Sequence, residues 1–148
     1  DESNADDHYV LLPENPCQSA KEIWQWATDK FEISNLAVVI TDSHSMPMRL
    51  GALGISIGWY GFEPVTYFTG EPDLFGRPNK FTRINVADSL AAIGVFTMGE
   101  LDEQTPISVI FDAPHIRFTD KDTSRDLTMP VREDIYWPLL KRFYEDEE

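Results

Sequence analysis

The chain has 148 residues, 42% hydrophobic and 12% aromatic, enough to enclose one hydrophobic core without covalent staples. Twelve basic residues face 26 acidic ones, and a formal charge of -14 with scattered Lys and Arg excludes a protein built to grip a nucleic-acid backbone. A single cysteine, Cys17, excludes an internal disulfide, and no apolar run is long enough to form a membrane helix, so the sequence reads as cytosolic. It opens on Asp1 with no basic or apolar leader, which reads as a fragment of a longer polypeptide.

In chain order, Leu11-Leu12-Pro13 with Asn15-Pro16 predicts a short extended piece and a turn. A helix follows. Ser19 with Glu22 has capping-box spacing, and Ile23, Ala27 and Phe31 with Trp24 and Trp26 form a wide apolar face whose tryptophans read as core. Leu36 to Ile40 is a continuous β-branched run, predicted as a strand covered on both faces that delivers Asp42 at its end. Gly51, Gly54, Gly58 and Gly61 interrupt the next strand-like run, which fits bulges or close backbone approach; with no GxxxxGK[ST] pattern, a phosphate-cradling loop is the weaker alternative.

Pro64 to Thr69 is again β-prone, and Gly70 to Asp73 is a turn before Leu74-Phe75-Gly76-Arg77-Pro78. From Asn85, a 3.6-residue period through Val86, Leu90, Ile93 and Thr97 predicts a helix that stops at Gly99. An acidic loop, 100–106, then leads to a predicted strand from Ile107 to Phe111. Beyond a polar segment, Ile135, Leu139 and Phe143 suggest a final amphipathic helix with Pro138 in its first turns. The whole reads as a single α+β domain over 1–148, a mixed β-sheet with packed helices.

Taken alone, these residues support a metal hypothesis. Asp42, Glu100 and the Asp1 region offer hard oxygen donors, which suit Mg²⁺ or Mn²⁺. His44 is either a base or ligand, or a hydrogen-bonded surface group. With no HExxH, CxxC pair or GxSxG, zinc hydrolysis, thiol redox and serine acyl transfer lack their minimal parts.

One ordered series goes further: VVITDS from Val38, Pro47-Met48-Arg49 with Gly51, the run through Gly58-Trp59-Tyr60-Gly61, DLFGR from Asp73 to Arg77, VAD from Val86 and MGE from Met98 to Glu100. It resembles the γ-glutamyl ligases that elongate coenzyme F-420, over about residues 1–111, including an opening Asp1-x-Ser3-Asn4; the 112–148 tail matches only loosely. Where that family commonly reads D-T-x-G-R-P-x-R-x-G, this chain has Ser43, and Ser45-Met46 in place of Gly-Arg. The D-S-H-S version is similar to a branch regarded as folate γ-glutamate ligases.

The resemblance implies the C-terminal portion of the γ-glutamyl ligase fold and an amide ligase. GTP or ATP would activate the γ-carboxylate of a folate acceptor, or of a deazaflavin one, as an acyl phosphate that L-glutamate attacks, with Mg²⁺ or Mn²⁺ required. It also implies a homodimer, with no nucleic-acid or membrane partner. By position, Asp1, Asp42, Ser43 and Glu100 resemble metal ligands. Asn4 resembles a nucleotide contact, and so does the turn Met98, Gly99, Glu100, Leu101, Asp102, Glu103, Gln104 and Thr105. Arg49 and Arg77 suit substrate or phosphate clamps, or else pair with loop carboxylates such as Asp73 or Asp88. Asp88 reads as a packing or capping carboxylate. The rival expectation is a non-catalytic acidic binding or assembly module.

Overall fold

In the computed structural model, which describes residues 8–144, the first regular element is helix α1, Pro16–Phe31. It starts earlier than the Ser19–Glu22 pattern suggested. Pro16 occupies the first helical position, where its fixed φ suits the helix and its missing N–H is no loss, and the Asn15 side chain accepts the Gln18 amide at 3.0 Å. A stronger cap upstream displaced the weaker one. The two tryptophans also part company. Trp24 is half-buried, donates its indole N–H to the Leu36 carbonyl at 2.9 Å and meets Tyr60 edge-on, whereas Trp26 is 56% exposed and stacks with Phe31 and Lys30 on the surface.

Strands β1, Val38–Ser45, and β2, Ala52–Tyr60, form an antiparallel hairpin in which Asp42 pairs with Ile55 and Ser43 with Gly54. The strand therefore does not end at Asp42. It continues through Ser43, His44 and Ser45 because the β2 backbone supplies ladder partners as far as Ala52, and its residues are half-buried or exposed rather than covered on both faces. Between Ile40↔Gly58 and Thr41↔Ser56 the register shifts, leaving Ile57 as the extra residue of a bulge.

A second small ladder joins β3, Val65–Tyr67, to β4, Arg83–Asn85, also antiparallel. Helix α2, Val86–Met98, follows at once. The α+β class expected from the sequence is the one observed, and among the described residues its strands lie in two separate antiparallel pairs.

The glycines of β2 explain how closely the helices approach. A Cβ at Gly54 would collide with the Ala91 carbonyl and the Val95 side chain of α2, and one at Gly58 would collide with Pro16 of α1. The core gathers Trp59, Phe62, Val86 and Ala87, with Val39, Leu90 and Cys17 packed against it. Each buried aromatic of this kind stabilises the fold by about 2–3 kcal/mol.

The polar segment after Pro114 is strapped across this core. Thr66 donates to the His115 carbonyl, Tyr60 to Asp120, and Thr123 takes the Trp59 indole N–H while donating to Phe62. The predicted strand Ile107–Phe111 does not form. Ile107 and Phe111 are 80% and 82% exposed, and no described segment lies alongside to complete a ladder. The final helix is reduced to α3, Trp137–Leu140, followed by a 3₁₀ turn over Lys141–Phe143. Among the described residues no helix is long and apolar enough to cross a membrane.

Candidate functional site

The hairpin and α2 meet at a cavity of about 540 Å³. One wall is Thr41, Asp42 and Ser43 of β1; the other is Val95 and Met98 at the end of α2 with Gly99, Glu100, Leu101, Glu103, Gln104, Thr105 and Pro106 beyond it. Local chemistry places each side. Asp42 turns one carboxylate oxygen to the Ser43 amide at 2.8 Å, so its other oxygen faces away from that bond.

Helix α2 is oriented by Asp88. Asn85 caps the helix by accepting the Asp88 amide at 3.0 Å, and its own amide nitrogen donates back to Asp88 at 2.6 Å. The second Asp88 oxygen accepts both the amide and the hydroxyl of Ser56, at 2.9 and 2.6 Å. Ser56 pairs with Thr41, one residue before Asp42. A single carboxylate thus fixes the helix against the strand pair that carries the cavity wall, the packing and capping role its sequence context suggested.

At the other end, the loop after α2 is tied to itself. Gly99, with φ 85°, sends its amide to Val95 at 2.9 Å, the Thr105 hydroxyl donates to the Met98 carbonyl at 2.6 Å, and the Glu103 carboxylate accepts the Leu101 amide at 2.8 Å. That Leu101 bond first, and then its own amide, hold the Glu103 carboxyl below the usual carboxylate range.

The cavity is electrostatically one-sided. Asp42, Glu100 and Glu103 line it with the carbonyl end of α2, no basic side chain lines it among the described residues, and helix C-termini carry a partial negative charge. An anion would enter such a space only with a cation. Asp42, Ser43 and Glu100 are hard oxygen donors of the kind Mg²⁺ and Mn²⁺ select. Among the described residues, no three His, Cys, Asp or Glu side chains form a metal-holding group, so these donors are an incomplete set by themselves. Asp1 and Asn4 lie outside the described residues.

The remaining predicted site residues lie elsewhere. Asp102 does not line the cavity, nor does either arginine. Arg77 donates its Nε to Asp73 at 3.0 Å and stacks over Phe75, and the same Asp73 accepts the Phe75 and Arg77 amides, so this guanidinium holds its own turn. Arg49 is in the exposed connection of the hairpin and forms no ion pair among the described residues. His44 is on the exposed end of β1, outside the cavity lining. Thr41, Val95 and Pro106 line the cavity although sequence reasoning did not single them out; adjacency to Asp42 and to the 98–105 turn was the available signal.

Fold and cavity together define an acidic α+β protein whose site offers oxygen donors at the junction of a β-hairpin and a helix C-terminus. The chain belongs to the F420-0:Gamma-glutamyl ligase family, whose model matches residues 1–112. It is 39% identical over 136 residues to the coenzyme F420:L-glutamate ligase of Methanocaldococcus jannaschii, covering 92% of this chain and 53% of that protein. Similar figures hold for the proteins of the same description from Methanococcus maripaludis, at 38% identity with 92% and 54% covered, and Methanothermobacter thermautotrophicus, at 37% with the same coverage. The chain spans about half the length of the curated relatives it matches.

Proposed function

We propose that the protein to which this chain contributes is a γ-glutamyl ligase, dependent on a nucleotide and a divalent cation, that joins L-glutamate to the γ-carboxylate of a folate. One observation carries the reading: a single cavity brings Asp42 and Ser43 of β1 together with Glu100 and the turn after α2. Asp42, Ser43 and Glu100 would hold Mg²⁺ or Mn²⁺, with Asp1 as a further donor. A bound divalent ion supplies charge neutralisation for a triphosphate and for a developing acyl phosphate.

The chain's own residues do the rest. The carboxylates repel a bare phosphate, so nucleotide binding is conditional on the cation. The backbone of 98–105, pinned by Glu103 and Thr105, gives the nucleotide, GTP or ATP, a rigid turn with Asn4 as an additional contact. Arg49 is available as a clamp for a phosphate or a glutamate carboxylate, whereas Arg77 must first leave Asp73. The acceptor carboxylate takes the γ-phosphoryl group of the nucleotide, releasing the nucleoside diphosphate, and the glutamate amine then attacks the acyl phosphate, forming the amide as phosphate leaves and the amine gives up a proton.

The acceptor assignment rests on Ser43-His44-Ser45-Met46, the segment that departs from the deazaflavin-elongating pattern. The names of the relatives favour a second reading, the same chemistry on a coenzyme F420 precursor. We also propose a homodimer as the active form. The test is turnover by the complete gene product with reduced folate and deazaflavin acceptors side by side, with glutamate, GTP or ATP, and Mg²⁺ or Mn²⁺. A folate polyglutamate is expected, with Asp42→Asn and Glu100→Gln each lowering kcat at least about 100-fold, the scale of losing a centre of electrostatic stabilisation. Product with the deazaflavin alone selects the second reading, and no product with either acceptor overturns both.

A further inference from the structure

We propose that Glu103 is a positioning residue, acting on Glu100 through the Leu101 amide, and is neither a metal ligand nor a nucleotide contact. This rests on the ligase reading of the same cavity. The 98–105 turn contains two glutamates three residues apart, and both line the cavity. Their side chains are used differently. Glu103 has one oxygen on the Leu101 amide at 2.8 Å, and its carboxyl group fills the space where a side chain on Gly99 would stand. Gly99 and Leu101 flank Glu100. One is anchored to α2 through its amide and covered by the Glu103 carboxylate, and the other is held by that same carboxylate.

The backbone after Glu100 is therefore held by the Glu103 carboxylate and the backbone before it by the bond of Gly99 to α2, beside which that carboxylate packs, and Thr105 closes the turn by donating to Met98 at 2.6 Å. Glu100 itself is exposed and makes no hydrogen bond or ion pair among the described residues, so the backbone alone fixes the point and angle from which its side chain departs. Groups that orient a ligand from behind carry a recognisable energetic share: their loss typically weakens metal binding by about 10–100-fold. The chemistry of the latch also separates charge from geometry. The Leu101 amide needs an acceptor oxygen, and a glutamine amide oxygen provides one at the same reach.

The test uses the complete protein with Glu103→Gln, Glu103→Ala and Thr105→Val, reading Mn²⁺ affinity by electron paramagnetic resonance and amide exchange at Leu101. Leu101 is 89% exposed, so slow exchange of its amide reports the Glu103 bond. Glu103→Gln is expected to keep both properties close to wild type, while Glu103→Ala frees the Leu101 amide and weakens Mn²⁺ binding about tenfold or more. Thr105→Val, which leaves Glu103 in place, should weaken Mn²⁺ binding in the same direction and keeps the inference testable should Glu103→Ala misfold.

Equal losses in Glu103→Gln and Glu103→Ala would make Glu103 a charged ligand and overturn the inference. Unchanged Mn²⁺ affinity in Glu103→Ala or Thr105→Val would overturn it too, by showing that the latch does not act on the site. Both readouts are independent of turnover. An inactive wild type that still shows this pattern overturns the ligase reading and leaves the role of Glu103 intact.

Discussion

Replacing Asp88 with alanine tests the joint that sets the cavity. The carboxylate receives three hydrogen bonds: from the Ser56 amide at 2.9 Å, the Ser56 hydroxyl at 2.6 Å and the Asn85 side chain at 2.6 Å. Bonds to a charged acceptor contribute about 1.5–3 kcal/mol each, but they share one group and do not add. The Ser56 hydroxyl can turn to another partner; the half-buried Ser56 amide cannot, and leaving it unsatisfied costs about 1–3 kcal/mol. Loss of a negative charge in the first turn of α2 removes about 0.5 kcal/mol more. Asp88→Ala should therefore lower stability by about 3 kcal/mol, roughly two decades in the folding equilibrium.

Asp88→Asn keeps the acceptor toward Ser56 but sets an amide nitrogen against the Asn85 nitrogen, so about 1 kcal/mol is expected. Urea denaturation of the complete protein, with the slope against denaturant unchanged, is the assay. Asp88→Ala within about 0.5 kcal/mol of wild type would refute the reasoning. An Asp88→Asn as costly as the alanine variant would show that charge, rather than the acceptor geometry, does the joining.

Gly54→Ala should destabilise by about 1–3 kcal/mol because its methyl group meets the Ala91 carbonyl and Val95, with equilibrium unfolding as the measurement. Trp24→Phe should cost about 1 kcal/mol by orphaning the Leu36 carbonyl, whereas Trp26→Ser should stay within about 0.5 kcal/mol; the reverse order in thermal melts would contradict the assignment of surface and interior. The Arg77 amide, above the other contacts, holds the Asp73 carboxyl below the usual carboxylate range. A depressed folded value means the stabilisation of the 73–77 turn is complete above the ordinary carboxylate range and is lost as pH falls through the lowered value. Exchange protection of the Phe75 and Arg77 amides should follow that course, and Asp73→Asn should remove the acid transition.

The sequence made α2 legible because two local signals agree there, the apolar period counted from Asn85 and the Gly99 stop; the structure retains both and adds Asn85 as the cap. Where the deciding information was non-local, reading residues failed. The strand expected to end at Asp42 runs on through Ser43, His44 and Ser45 only because the β2 backbone is present to pair with them, and Ile107 to Phe111 has every strand propensity but no partner among the described residues. Trp24 and Trp26 differ by two positions in a helix pattern, yet only Trp24 reaches the Leu36 carbonyl. At the site, the motif carried Asp42, Ser43 and the 98–105 turn into one cavity. Of the two roles open to Arg77, the structure has the pairing with Asp73, whereas nothing in residue type marked Glu103 as facing the Leu101 amide.

The two walls of the cavity come from segments well apart in the chain, 41–43 and 95–106, and that separation has a consequence for when the site exists. The β1–β2 hairpin closes through a short connection, so it can form from local contacts, but the cavity appears only once α2 has docked against β2 through Gly54 and Asp88. A chain with the hairpin formed and the helix undocked has Asp42 in place and nothing opposite it. Any ligand that needs both walls therefore recognises only the docked form, and it stabilises that docking in proportion to the logarithm of its own concentration.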